Sequence, residues 1–185
     1  IAGNVLHVHD NVIYDYSGSN CSGIKQRGSA GTYIASFVYN NTMVNCYNGI
    51  DNESFQTRLT AKNNIVQSSS GDAYTGSYNS NSDYNLSDDA TDTGGTNDIN
   101  SASVTFTDAG SDDYSLDSTD TAAIDEGVDL STDSDLPLWR DTAGTQRGVS
   151  WDIGAFEYVS AEPPSSILPN KWNTGCFGGC LNGCF

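Results

Sequence analysis

Cations are scarce in this sequence, seven Lys and Arg against twenty-four Asp and Glu, so the places where they gather are the first places to look for chemistry. The stretch GIKQRG sets Lys25 and Arg27 two residues apart. In extended backbone both side chains leave on one face, where they could hold the carboxylates of an acidic polysaccharide. Tyr33 and Tyr39 follow in TYIASFVY, and with Tyr14 and Tyr16 they offer flat amphipathic rings suited to covering a sugar. Arg58 and Lys62 are the other cations of this half. The sequence sets no clear carboxylate cluster beside Lys25 and Arg27, and the plainer reading is a pair of solvated cations that keep a strand edge from pairing with a neighbour.

Metal chemistry has three candidate places. His7 and His9 alternate in LHVHD beside Asp10, but a third ligand is not evident, which favours outward-facing histidines over a site. Asp133 and Asp135 in STDSDLP are the pair nearest to a calcium loop, and calcium is the one cofactor the composition suggests. Cys176, Cys180 and Cys184 recur every fourth residue in CFGGCLNGCF, a spacing that matches no standard zinc or iron–sulfur pattern. Cys21 and Cys46 lie apart from these and could stack on one another, either free or as a disulfide. There is no P-loop, dinucleotide fingerprint, GxSxG or HExxH. Without geometry, no pair among twenty-four carboxylates stands out for glycoside hydrolysis. No residue is assigned as catalytic.

The elements that must position these groups are strands. Asp, Gly, Asn, Ser and Thr abound, and Asp is a turn residue and a poor helix former. Strand-like segments recur in NVLHVHDNVIYDY, TYIASFVYNNTMVNCYNGI, RLTAKNNIVQSS and SDYNLSDD. Asp10-Asn11-Val12-Ile13, Asn40-Asn41-Thr42-Met43, Asn63-Asn64-Ile65-Val66 and Asp83-Tyr84-Asn85-Leu86 can be laid over one another. Repeats of this length without helical periodicity predict a solenoid. The expectation is an all-β chain, a right-handed parallel β-helix with irregular acidic loops, whose asparagines stack into a ladder at equivalent corners. A β-sandwich of facing antiparallel sheets is the alternative.

The stretch between Asn63 and Trp139 carries fifteen Asp and one Glu with no Lys or Arg. It reads as a solvated acidic surface and would repel a phosphate backbone, so a nucleic-acid partner is not expected. No apolar run is long enough to span a bilayer. The β-helix is expected over residues 1–159, a Pro/Ser linker over 160–170 and a Cys/Gly-rich tail over 171–185. On that tail Trp172, Cys176, Phe177, Cys180, Leu181, Cys184 and Phe185 form an apolar and thiol set suited to docking on a partner. Strand-like sequence begins almost at residue 1, so upstream residues or a partner are expected to cover the first coil. Sequons start at Asn20, Asn40, Asn52 and Asn85.

YSL at 114–116, AAIDEG at 122–127, DTAGTQR at 141–147 and WDIGAFEY at 151–158 occur in that order. Together they resemble the C-terminal end of right-handed parallel β-helix proteins of the choice-of-anchor Q type, which are pectate-lyase-like in fold and belong to cell-surface and secreted proteins. On the residues themselves, Ile124, Ile153, Ala155 and Phe156 are expected to plug the end of the coil stack. Asp125, Asp141 and Asp152 are expected to cap turns, and Arg147 to pair with Asp152 or Glu157. The function expected is a non-catalytic structural or attachment module of an extracellular, cell-surface or virion-surface assembly. It would meet other subunits through its tail and N-terminal end. The alternative is a polysaccharide lyase or hydrolase, or a carbohydrate-binding β-helix, meeting a surface polysaccharide.

Overall fold

A computed structural model describes residues 4–28, 34–53 and 58–160. Among them the chain is all-β. No α-helix forms, and the one helical turn is a 3-10 turn at Ala109–Ser111. The strands come in threes. β1 (Asn4–His9), β2 (Val12–Tyr14) and β3 (Ser22–Gln26) form a first tier. β4 (Ile34–Tyr39), β5 (Thr42–Val44) and β6 (Asn48–Asn52) form a second, and β7 (Leu59–Lys62), β8 (Ile65–Gln67) and β9 (Tyr74–Gly76) a third. Each strand pairs in parallel with its counterpart one tier away, giving sheets β1-β4-β7, β2-β5-β8 and β3-β6-β9. β10 (Leu86–Ser87) extends the middle sheet, and single parallel bridges Lys62–Asp83 and Leu86–Ile99 carry a partial fourth tier. Sheets of this connectivity exclude the antiparallel sandwich.

The corner between the first and second strand of each tier explains the repeat. Asp10, Asn40, Asn63 and Tyr84 take left-handed backbone, with φ of 53°, 54°, 54° and 58°. Asp and Asn tolerate that conformation better than other side chains because they hydrogen-bond locally. The next residue is Asn in every tier, and these asparagines form a ladder. Asn11 Nδ2 donates to Asn41 Oδ1 at 2.9 Å, Asn41 Nδ2 to Asn64 Oδ1 at 3.0 Å, and Asn64 Nδ2 to Asn85 Oδ1 at 2.8 Å. The ladder ends on a carboxylate, Asp98 Oδ1, 3.2 Å from Asn85 Nδ2. The expected ladder is present, but its last step needs a correction. Tyr84, not Asp83, takes the corner, so the final overlay is one residue out of register.

Side chains alternate along a strand, and the register separates two apolar layers. Val38, Ala61, Met43, Val66, Ile50 and Tyr74 turn inward into one core between the three sheets. The intervening residues Phe37, Tyr39 and Ile65 turn outward, yet Tyr39 and Ile65 are buried as well. The C-terminal part of the chain covers them. Ile65 and Leu86 pack under Val104, Leu116, Ala123 and Ile153. Tyr39 packs under Leu130, Leu136, Leu138 and Trp151, with Phe37 at the margin. Within this cover, β11 (Phe106–Asp108) and β12 (Asp113–Leu116) form an antiparallel pair.

The expectation that WDIGAFEY plugs the end of the stack is corrected here. The stretch lies along the flank, touching one tier after another. Gly154 N donates to Asn63 O at 2.8 Å, Ala155 N donates to Thr42 Oγ1 at 2.9 Å, and Arg147 reaches Asp10. Gly154 is required at this close approach. Its φ is +101°, and a Cβ there would stand 2.4 Å from Ile65 Cδ1. Asp141 and Asp152 cap turns as expected, accepting from Thr145 N and Glu157 N, and from Asp125 N and Tyr158 N. Asp125 is instead a corner residue with φ 61°. Asp120, which the sequence did not single out, accepts from the amides of Thr105, Ala122 and Ala123.

Candidate functional site

While the C-terminal segment covers Tyr39, Thr42 and Ile65 on the outward rows of the first two sheets, the outward row of β3-β6-β9 carries charge. Lys25 pairs in register with Asp51, and Asp51 with Thr75. Lys25 Nζ lies 2.8 Å from Asp51 Oδ2 and 2.6 Å from Glu53 Oε1, and Arg27 Nε lies 3.0 Å from Glu53 Oε2. Thr75 and Ser22 also donate to Asp51, at 2.8 and 3.1 Å. Lys25 and Arg27 thus stand beside a carboxylate pair, correcting the expectation that none accompanies them. The bonds to Asp51 and Glu53 hold the Lys25 ammonium above its ordinary pKa. Burial opposes ionisation of Asp51, but the hydrogen bonds from Lys25, Thr75 and Ser22 outweigh it and hold its pKa down. Glu53 is lowered by the Lys25 bond. A lysine kept protonated in this way is a poor proton acceptor at neutral pH.

Tyr39 is not available to a ligand. It is fully buried beneath Leu130, Leu136, Leu138 and Trp151, and burial pushes its hydroxyl well above the ordinary value. The two-residue alternation does send it outward, but the C-terminal segment occupies the space a sugar would need. Tyr33 lies outside the described residues. Tyr14 and Tyr16 are exposed, with the Tyr14 ring 5.1 Å from that of Tyr114.

The Asp133–Asp135 pair is built into this same cover. Lys62 Nζ, which also lies over the Tyr39 ring, donates to Asp133 Oδ2 at 2.6 Å, while Asp133 Oδ1 accepts from the amides of Asp135 and Leu136. Burial resists the charge on Asp133, and these donors overcome it to hold its pKa down. Among the described residues no three His, Cys, Asp or Glu side chains converge on a metal position. His7 packs edge-on against Phe37, and His9 Nδ1 lies 2.8 Å from Asp10 Oδ2.

Two further features stand out, the first of which the sequence did not signal and the second only in part. The first is a cleft of about 620 Å³ between the first tier and the segment 136–142, lined by His9, Asp10, Pro137, Trp139, Arg140 and Thr142. Trp139 is 58% exposed at its rim, an unusual position for the largest side chain. Nothing in PLWRD signals a cleft, because its opposite wall comes from the other end of the chain. The second is the clasp made by Arg147, whose side chain is fully buried. Its Nη1 lies 3.1 Å from Glu157 Oε2, its Nη2 lies 2.8 Å from Gly154 O and 3.5 Å from Asp10 Oδ1, and its guanidinium stacks 5.2 Å from the Trp151 ring centre. The expected Glu157 pairing holds, whereas Asp152 offers its main-chain carbonyl to Arg147 instead of its carboxylate.

Cys21, half-buried, and Cys46, buried, are not joined to one another. Of the four sequons, Asn40, Asn52 and Asn85 are buried, and only Asn20 is exposed to modification. The linker beyond residue 160 and the docking set Trp172, Cys176, Phe177, Cys180, Leu181, Cys184 and Phe185 lie outside the described residues. No helix among the described residues is long and apolar enough to cross a membrane. Compared with protein-family models, with curated proteins and with solved structures, the chain matches none, so the reading of its sites rests on their own geometry.

Proposed function

We propose that this chain is a right-handed parallel β-helix of the choice-of-anchor Q kind, serving as a rigid, non-catalytic attachment module of an extracellular, cell-surface or virion-surface assembly. Parallel crossovers between neighbouring strands are right-handed in nearly all proteins, which supports the handedness, and the stacked tiers support the solenoid. The carrying observation is that the charged groups best placed for chemistry are engaged with one another. Lys25 is bonded to Asp51 and Glu53, and Lys62 to Asp133. These groups serve to brace tiers and their cover. The tail from Pro163 to Phe185, with its apolar and cysteine residues, is the element proposed to dock on another subunit. Deleting residues 163–185 is expected to release the module from its native assembly while leaving its far-ultraviolet circular dichroism unchanged. Full incorporation of the truncated chain would refute the docking role.

A second reading, carbohydrate binding without turnover, is favoured by the cleft at Trp139. An exposed indole beside His9, Arg140 and Thr142 offers a flat apolar face with polar groups around it. Titration of acidic and neutral oligosaccharides against Trp139→Ala tests it. Binding that survives the substitution would move the ligand elsewhere.

A further inference from the structure

Arg140 is a cation out of place. In a chain with twenty-four acids and seven bases a cation has carboxylates to choose from, and Lys25, Arg27, Lys62 and Arg147 each meet one. Arg140 forms no ion pair among the described residues. Its Nη1 donates instead to Gly144 O at 2.7 Å, and the residue is exposed. Nε and Nη2, which share the other edge of the guanidinium, make no hydrogen bond to the described residues. The main chain beneath is held in place. Arg140 bridges Gln146 in antiparallel fashion, Arg147 N donates to Trp139 O at 2.9 Å, and Thr142 N donates to Ala155 O at 3.0 Å.

This guanidinium belongs to the lining of the cleft at Trp139, where the two carboxylates are already engaged. Asp10 lies 2.8 Å from His9 Nδ1 and 3.5 Å from Arg147 Nη2. Asp141 is buried and accepts from Thr145 N at 2.7 Å and from Glu157 N at 3.0 Å. A ligand entering the cleft therefore meets the exposed indole of Trp139, the exposed His9 and Thr142, and one uncompensated guanidinium edge. An indole offers a flat surface to the apolar face of a sugar ring. A guanidinium edge fits a carboxylate through two parallel N–H···O bonds, which a lysine cannot match. The net charge of −17 pushes anions away from the rest of the surface. Salt screens that repulsion beyond about 10 Å, so contact at Arg140 decides what is held.

We propose that the Trp139 cleft binds a saccharide bearing a carboxylate on its ring, the sugar lying against the indole and the carboxylate on Nε and Nη2 of Arg140. The inference deepens the carbohydrate-binding reading and rests on it. It separates this cleft from Lys25 and Arg27, whose charges are met by Asp51 and Glu53. A neutral sugar would leave the guanidinium edge to water, and a small anion without a ring would leave the indole uncovered.

The test is calorimetric titration of the full chain at about 0.15 M salt. Sialyllactose and a hyaluronan tetrasaccharide supply the carboxylate from a sialic acid and from a uronic acid, and lactose and chitotetraose are their neutral counterparts. At least one acidic saccharide is expected to bind at least about tenfold more tightly than its counterpart. Arg140→Gln is expected to abolish that preference, and Lys25→Met, on the third sheet, to leave it intact. The comparison between saccharides is made on the unaltered chain, so it holds even where a variant fails to fold. Equal binding of acidic and neutral saccharides overturns the proposal while leaving the carbohydrate reading in place. A preference that survives Arg140→Gln in a variant with unchanged circular dichroism overturns it too, as does one lost in Lys25→Met. No binding of any of these saccharides at about 10 mM removes the carbohydrate reading along with it.

Discussion

Lys25 on β3 and Asp51 on β6 stand opposite one another in register, Nζ 2.8 Å from Oδ2, and Arg27 and Glu53 repeat the pairing two residues on at 3.0 Å. The two cations that invited an enzymatic reading therefore join the first tier to the second.

Asp51 takes three side-chain donors while nearly buried. Asp51→Ala should lower stability by about 1–3 kcal/mol, since buried donors are left short of an acceptor. Lys25→Met should cost less, because the stem still packs and Asp51 keeps Thr75 and Ser22. Urea unfolding of both variants checks the order, and a larger loss from Lys25→Met would contradict it. The sign with pH follows from lowered carboxylate pKa values at Asp51 and Glu53. Their contribution is full above the unfolded carboxylate range and is lost as pH falls through the folded values.

Asn64 is fully buried, accepts from Asn41 and donates to Val38 O and Asn85. Asn64→Ala should cost at least about 3 kcal/mol by orphaning several buried groups at once. Asn11→Ala, at the exposed top of the ladder, should cost less than about 1 kcal/mol. Equal losses in thermal or denaturant unfolding would mean that the ladder contributes little beyond its corner conformation.

Arg147→Met removes the cation that Glu157 and Asp10 share. A broken buried pair typically costs about 3–5 kcal/mol, and here the flank should loosen before the tiers do. Trp151, which stacks on Arg147 and is buried, should move its fluorescence to longer wavelength at denaturant concentrations that leave the β-sheet circular dichroism intact. A single coincident transition in this variant would count against the clasp.

Asp152 is raised to about 6, first by burial, with the Glu157 and Asp125 charges adding to it. Between the unfolded carboxylate value and about 6 the native chain then holds one proton more than the unfolded chain, so stability falls as pH rises through that window and levels off above it. The contribution is at most about 3 kcal/mol. Unfolding free energies of wild type and Asp152→Asn, compared at pH 4 and pH 7, isolate it. The gap between the two proteins should change across the window, and a constant gap would remove Asp152 from the account.

The tiers were legible in the sequence because the polar corner and the following Asn recur with apolar residues after them. The last corner was misplaced by one residue because Tyr84 replaces the Asp or Asn that marks the others. Tyr39 was misjudged for a different reason. Alternation along β4 sends it outward, but whether outward means wet depends on Leu130, Leu138 and Trp151, about a hundred residues later. The partners of Lys25 and Arg27 were hidden because the spacing between the first two tiers is not uniform: Asn4 meets Ile34 and Val12 meets Thr42, whereas Lys25 meets Asp51, a shorter step that the corner repeat does not foretell. The Arg147–Glu157 pair was legible because its partners lie within ten residues, whereas the cleft at Trp139 and the reach of Arg147 to Asp10 join opposite ends of the chain, which no local pattern records.

A stack of tiers standing alone is a zipper, able to fray inward from its exposed first tier one repeat at a time. The C-terminal flank changes that. By fastening Asp10, Thr42 and Asn63 to a single continuous stretch between Arg147 and Ala155, it makes loss of the outermost repeat contingent on lifting the whole strap. Tension applied between the two ends should accordingly be borne until one abrupt rupture instead of being released in a staircase of small ones.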